Sequence, residues 1–432
     1  MNRILVAFDY FSPTFPLVNN QNFNRPLSEL DIDNGTYEFF NKIGGYDCVP
    51  TLALNDNDLF IYPIRLILTP DGWPINPEID ILASTSMSRN VYNGICGRNG
   101  YLFFDLGAEC AITDSIIQTI HKYVYLKKIP LNKVILQTGN TNGKEQYDNY
   151  CFRHGISLDK GMNIACLEYF EWMCSRHIHE YTDSGENIPL PKNIDFTKIQ
   201  KTFLCLNRRH RLHRVNLFLL WNIHNLMGDT YFTLNKKNGL LPTENNILRE
   251  LFNKTLIKKY DIKDSYLSNI ESTLPLELDE FKNSAEMALL YSPIDSYYQS
   301  SLISVVTETN FEDNDIFNTE KIFKPMVHRH PFILVGPYKT LENLRSMGYK
   351  TFGDFWDESY DNIEDPNERL IKIVELCKEI NEWDDNKKKI LFYKSMINTT
   401  HNYELLSSFY ATKKMRRNFW HEFRDKKLFF IK

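Results

Sequence analysis

Apolar and polar positions along this 432-residue chain fall into two rhythms. Short, solid apolar runs are each closed by a polar or glycine-containing break. Many are followed by a stretch with helical spacing. Solid apolar runs of this length read as strands buried on both faces. In the first half the pattern predicts strands over Arg3–Tyr10, Leu59–Leu68, Ile79–Thr85, Tyr101–Leu106 and Lys133–Gln137. It predicts helices over Ser115–Leu126, capped by Asp114, and over Lys144–His154. Asn163–Met173 fits strand or helix, and Ser12–Asp58 reads as a set of loops. In the second half, strands are expected over Lys201–Leu206, Asp229–Leu234, Ser300–Thr307, Pro331–Val335 and the aromatic Tyr349–Phe355. Helices are expected over Val215–Met227, Asn246–Tyr260, Thr340–Met347, Pro366–Trp383, Asp385–Thr399 and Tyr403–Phe409, with Leu267–Leu278 as loop.

Strand and helix alternating in this way predict an α/β fold with doubly wound sheets. A polar stretch with two prolines, Asp183–Asp195, reads as a linker. The expected organisation is therefore a domain over 1–195, a second over 196–410, and a C-terminal helical segment over 411–432 that crosses back to the first.

Composition narrows the function classes. With 43% hydrophobic and 24% charged residues, the chain has the make-up of a globular protein. No apolar run is long enough to span a bilayer, and the opening MNRILVAFDYFSP reads as a first strand rather than a signal peptide. The eight cysteines contain no CxxC, so they read as reduced thiols of a cytoplasmic protein rather than a zinc site or disulfide framework. A net charge of −5 argues against nucleic-acid binding by bulk charge and leaves room for a local basic groove. The lean towards Asn, Lys, Ile, Tyr and Phe is the usage of AT-rich coding sequence, as in many bacteriophages, which would place the protein in host cytoplasm.

Candidate chemistry sits at predicted strand ends, where open α/β sheets bind ligands. Asn318-Thr319-Glu320-Lys321 opens a helix after the strand that ends at Glu308. Asn318 or Thr319 can cap it, leaving free N–H groups that attract phosphate, a carboxylate for ribose hydroxyls and a lysine for a diphosphate. The basic segment Asn207-Arg208-Arg209-His210-Arg211-Leu212-His213-Arg214 stands between a strand and a helix, where guanidinium forks suit a diphosphate. The candidate donor-binding set is Asn207, Arg208, Arg209, Arg214, Glu308, Thr319, Glu320 and Lys321. Asp105 and Glu109, at the end of another strand, are candidate general bases. Asp56-Asn57-Asp58 and Asp313-Asn314-Asp315 have the form of a DxD metal motif, but neither follows a clean strand end, and no metal is expected. Asp357, Glu358 and Asp361 either grip acceptor hydroxyls or hold their own loop.

Phe317-Asn318-Thr319-Glu320-Lys321 followed by Pro331-Phe332-Ile333-Leu334-Val335-Gly336 resembles the donor-binding signature of fucosyltransferase-like glycosyltransferases of the GT-B class. The resemblance covers the last half of the chain and is sharpest in Thr-Glu-Lys. It implies two Rossmann-like domains facing a cleft, with Glu320 and Lys321 on a nucleotide sugar and Arg214, or Arg208 or Arg209, on the diphosphate. It implies transfer to an acceptor hydroxyl without a metal or other cofactor. His328-Arg329-His330 stands where the family has a small glycine-containing segment, which leaves the sugar open. The expected partners are a UDP- or GDP-linked sugar and, as acceptor, a glycan or a hydroxymethylated base in phage DNA. Two rivals stay open: a non-catalytic nucleotide- or sugar-binding protein on the same fold, and a metal-dependent transferase using Asp56 and Asp58.

Overall fold

The structure, a computed structural model, describes residues 4–8, 47–50, 54–55, 58–65, 87–97, 99–106, 112–166, 170–175, 178, 195–207, 210–234, 248–276, 278, 295–312 and 315–408. The chain divides into two compact units, Met1–Tyr169 with Thr412–Lys432, and Phe170–Ala411. That division precedes the polar stretch 183–195, nearly all of which lies outside the described residues, as do Ile79–Thr85 and the C-terminal segment 411–432.

The first unit is a six-stranded sheet with every pair parallel, built from β1 (Ile4–Phe8), β2 (Asp47–Pro50), β3 (Leu59–Arg65), β4 (Gly100–Leu106), β5 (Val134–Thr138) and β6 (Asn163–Cys166). Its order is β2-β1-β3-β4-β5-β6. Helices α1 (Arg89–Gly97), α2 (Asp114–Leu126) and α3 (Gly143–Arg153) accompany it. Thr113, not Asp114, caps α2: its hydroxyl accepts the Ile116 N–H at 3.3 Å, and Asp114 takes the first helical position. Asn163–Met173 divides between both readings, as strand to Cys166 and helix over 170–175.

The second unit carries a four-stranded, all-parallel sheet of β7 (Lys201–Leu206), β8 (Thr230–Thr233), β9 (Ser301–Thr307) and β10 (Phe332–Val335), in the order β10-β9-β7-β8. The chain leaves β7 through α4 (Leu212–Ile223) to β8 on one side. It leaves β9 through α5 (Glu320–Val327) to β10 on the other. Parallel crossovers are right-handed, so this reversal places α4 and α5 on opposite faces and opens a crevice between the carboxyl ends of β7 and β9. After β10 the chain continues through α6 (Thr340–Ser346), α7 (Pro366–Asn381), which packs on α4 and β10, and α8 (Asp385–Ser407), which packs on α5. Both units are therefore Rossmann-like α/β layers. β4 and β9 are buried along their whole length, as their unbroken apolar runs require.

Five expectations are corrected. The basic segment is not all loop: α4 begins at Leu212, so Arg214 lies in its first turn. Asn246–Tyr260 is two short helices, Leu248–Leu251 and Lys254–Lys259, because Asn253 caps the second by accepting the Thr255 N–H at 2.8 Å. Leu267–Leu278 is helical in its first part, within Asp264–Ser272. Tyr349–Phe355 forms turns, not a strand, because the Glu358 carboxylate accepts the Phe352 N–H and the Thr351 hydroxyl, each at 2.7 Å, and folds the segment on itself. The two helices expected at 385–409 are one continuous α8.

Candidate functional site

The crevice at the carboxyl edge of the second sheet collects residues from three chain segments. Asn207, directly after β7, is buried and ties three strand ends together. Its Oδ1 accepts the Thr307 hydroxyl at 2.5 Å, its N–H donates to Thr233 Oγ1 at 2.8 Å, and its carbonyl accepts the Thr233 hydroxyl at 2.9 Å. Its side chain is engaged in holding the crevice floor.

Glu308, directly after β9, is 0% exposed. Its backbone N–H donates to the Val335 carbonyl at 3.0 Å, continuing the ladder to β10. Its carboxylate accepts from three donors: Thr319 N–H at 3.2 Å on Oε1, and the Thr319 hydroxyl at 2.5 Å and Thr309 N–H at 3.2 Å on Oε2. Burial raises its pKa, opposed by the Lys321 charge and by the bonds from Thr319.

Thr319 is the N-cap of α5. Its hydroxyl oxygen accepts the Lys321 N–H at 3.3 Å while its backbone is extended. A residue with β-region dihedrals and a short hydroxyl is what an N-cap requires. The cap puts Glu320 and Lys321 at the start of the helix, partly exposed, with side chains 23% and 30% accessible. Lys321 Nζ lies 2.7 Å from Glu320 Oε1, 3.3 Å from Thr309 Oγ1 and 3.3 Å from Thr319 Oγ1. Burial works to raise the Glu320 carboxyl, but the charge and hydrogen bond of Lys321, with a backbone hydrogen bond and the Lys324 charge, together outweigh it and the group sits below its ordinary range. The result is an ion pair at the crevice surface with a second, buried carboxylate beneath it.

The basic segment behaves differently. Arg214 is buried, and its Nη2 donates to the carbonyls of Thr307 at 3.1 Å and Glu308 at 3.0 Å. His213 Nε2 lies 3.0 Å from the same Glu308 carbonyl. Both side chains therefore clamp the end of β9. Burial lowers the Arg214 pKa to about 10, which leaves it cationic at neutral pH. The N–H of His213, in the first turn of α4, donates to the Glu312 carboxylate at 3.1 Å. The helix end expected to receive a phosphate is thus met by a carboxylate of the chain itself. Arg208 and Arg209 lie outside the described residues.

In the first unit, Asp105 is the penultimate residue of β4, paired in register with Gln137 and buried. It stands at the carboxyl end of a parallel strand. Glu109 lies outside the described residues. So do Asp56, Asn57, Asp313 and Asn314 of the two DxD-like stretches. Among the described residues no cluster of three metal-ligating side chains occurs.

The Asp357–Asp361 acids hold structure. Asp361 accepts the N–H groups of Leu341 at 2.9 Å and Glu342 at 3.0 Å, capping α6 from across the chain. Asp357 bonds Ser359, and Glu358 bonds Thr351 and Phe352. His328-Arg329-His330 is also structural. His330 bridges Ser304 Oγ at 2.7 Å and the Ser301 carbonyl at 2.8 Å. His328 stacks on Tyr298 with ring centres 4.0 Å apart. Arg329 lies over the Tyr403 ring. The contacts with Ser301 and Tyr298 are at the amino end of β9, the opposite edge from Glu308.

Sequence reading missed two residues that shape the site. Glu312 stands next to the DxD-like stretch Asp313-Asn314-Asp315, and Arg369 lies within the helix expected over Pro366–Trp383. Arg369 bonds the carbonyls of Gly336 at 3.2 Å and of Phe311, joining the ends of β10 and of the β9 loop. Neither has a local signal, since their partners lie far away along the chain.

No family model and no curated protein sequence matches the chain. Solved structures do. A trehalose-6-phosphate synthase from Burkholderia multivorans is similar over 87% of this chain and 73% of that one, at 11% identity and a TM-score of 0.43. A second trehalose-6-phosphate synthase covers 100% of both chains at 10% identity and a TM-score of 0.43. An α1,3-fucosyltransferase covers 99% of this chain and 92% of that one, at 10% identity and a TM-score of 0.38. No helix among the described residues is long and apolar enough to cross a membrane. The fold is carried by strand order and register rather than by these similarities.

Proposed function

We propose that the chain is a GT-B-like glycosyltransferase that moves a sugar from a nucleotide sugar to an acceptor hydroxyl without a metal. One observation carries this reading. The Glu320–Lys321 pair stands in the first turn of a helix at the switch point of a parallel sheet, capped by Thr319 over buried Glu308. Ligands of open α/β sheets occupy that crevice. Lys321 is placed to neutralise a diphosphate, and Glu320 to accept hydrogen bonds from ribose or sugar hydroxyls. The resemblance of the Thr-Glu-Lys block to the fucosyltransferase-like signature supports the same assignment. Arg214 adds a fixed positive charge beneath the crevice, with Arg208 and Arg209 proposed as further phosphate ligands.

The chemistry is displacement at the anomeric carbon, with the departing diphosphate stabilised by Lys321 and by α5 N–H groups. Asp105 and Glu109 of the first unit are the proposed bases for the acceptor hydroxyl. The acceptor is proposed to be a glycan or a hydroxymethylated DNA base. The test is nucleotide release from a panel of UDP- and GDP-sugars, with and without a chelator. Release from one donor that persists with chelator and falls at least about a hundredfold in Lys321→Ala, the loss expected for a charged transition-state contact, supports the proposal. Nucleotide binding without turnover on any acceptor would favour the non-catalytic rival, and loss with chelator the metal-dependent one.

A further inference from the structure

We infer that Glu308 is a positioning residue: buried behind the crevice, it fixes the direction of the Thr319 hydroxyl and thereby aims the Lys321 ammonium at an anionic ligand. Glu308 belongs to the donor-binding set expected from the sequence. At 0% exposure it does not face the crevice surface, and its part is played through Thr319.

A threonine hydroxyl has one proton and two lone pairs. The Thr319 oxygen lies 3.3 Å from the Lys321 N–H nitrogen and 3.3 Å from Lys321 Nζ, both donors only. Its single proton therefore goes to the remaining partner, Glu308 Oε2 at 2.5 Å. Oε2 also takes the Thr309 N–H, and Oε1 takes the Thr319 N–H. Three donors directed at one carboxylate call for its ionised, acceptor-only form. Thr309 closes the ring, since its own hydroxyl lies 3.3 Å from Lys321 Nζ. The ammonium is thus held by two hydroxyls whose backbone N–H groups both converge on Glu308. The charged groups facing Glu308 are Lys321 and Glu320 from α5 and Arg214 from α4.

The device does more than cap a helix. A threonine cap needs no buried carboxylate beneath it, and burying one is costly unless it is hydrogen-bonded. Here the cost is offset by bonds that fix the position of a cation. With Glu308 neutral, the Thr319 hydroxyl can rotate and offer its proton elsewhere, and Lys321 Nζ loses one acceptor and its second counter-charge.

The inference rests on the nucleotide-site reading above, and its test separates the two. Amide hydrogen exchange in the absence of nucleotide reads positioning alone. In Glu308→Gln, exchange at Thr309, Thr319 and Lys321 is expected to quicken about tenfold, while Phe323–Val327 in the body of α5 keeps its protection. Calorimetric titration with UDP and GDP reads the consequence. Affinity should fall about tenfold, roughly the worth of one charge-assisted hydrogen bond. Thr319→Val should reproduce the loss and Thr319→Ser should restore wild-type binding. In a Lys321→Ala background Glu308→Gln should cost nothing further, since both act through one ammonium. A folded Glu308→Gln protein with unchanged exchange and unchanged diphosphate affinity overturns the inference, as does a loss that simply adds to that of Lys321→Ala. If the wild type binds neither nucleotide, the proposed function fails, and the exchange result still decides whether Glu308 positions the helix start.

Discussion

Arg369 is 1% exposed, yet its guanidinium is fully engaged. It donates to the carbonyls of Gly336, Ile363, Glu364 and Phe311 and lies 4.5 Å from the Phe311 ring centre. Arg369→Met keeps the length and removes the fork, leaving four carbonyls short of a donor. Urea unfolding should show a loss of about 3 kcal/mol or more, the scale for breaking a buried charged network. His330 makes a pH prediction. Burial holds its pKa down to about 4 from an ordinary 6.5, and its bonds to Ser304 and the Ser301 carbonyl suit a neutral ring. Because the unfolded chain takes the proton first, the contribution is intact above pH 6.5 and is lost as pH falls towards 4. The loss across that window is about 3 kcal/mol. His330→Asn should be less stable at pH 7 and show a correspondingly flatter pH dependence of unfolding between pH 6.5 and 4.

At the scale of elements, the ends of helices matter more than their middles. The residue before α6, Lys339, has a positive φ of 62° and offers no side-chain cap. Asp361 does that work from the next loop, and the carbonyl of the same residue accepts the Lys339 N–H at 2.9 Å. Asp361→Ala should cost about 1 to 2 kcal/mol, the range for a lost N-cap, read as a lower melting temperature. Nucleotide affinity should stay at the wild-type value, because α6 follows β10, which lies beyond β9 from β7. α4 shows the same principle with a functional consequence. Glu312 meets its first turn, so the basic segment serves the sheet edge more than it offers an open helix end.

At the scale of the whole molecule, the two sheets have different prospects. The second sheet carries the reversal with described residues on both sides, so the proposed ligand should act there. Hydrogen exchange with and without a nucleoside diphosphate should show added protection at 206–214, 307–312 and 319–323. β4 and β5 of the first unit should remain unchanged. At a ligand concentration of about a hundred times Kd the second unit should gain about 2.7 kcal/mol. Protection gained in the first sheet instead would place the nucleotide in the wrong unit and overturn the proposal.

Several strands and one helix cap are legible from neighbours along the chain. Lys201–Leu206 was legible as a strand to the residue, and Ser301–Thr307 and Phe332–Val335 within one residue, because strands buried on both faces leave unbroken apolar runs. Thr319 was legible as one of two caps, since capping chemistry is local. The pairing of Glu320 with Lys321 follows from adjacency. Which distant groups meet is set by the folded arrangement of the sheet and helices. Nothing local brings Asn207 to Thr307, Glu312 to α4, Asp361 to α6 or Arg369 to Phe311. The aromatic run Tyr349–Phe355 has strand composition, but bonds from its backbone and side chains to Glu358 turn it back. Arg214 has the chemistry of a phosphate ligand in sequence, yet packing places its Nη2 against two backbone carbonyls. The physical reason is common to all of these. Periodicity and capping are set by neighbours along the chain, whereas a buried polar group must find its partner wherever the sheet order brings one.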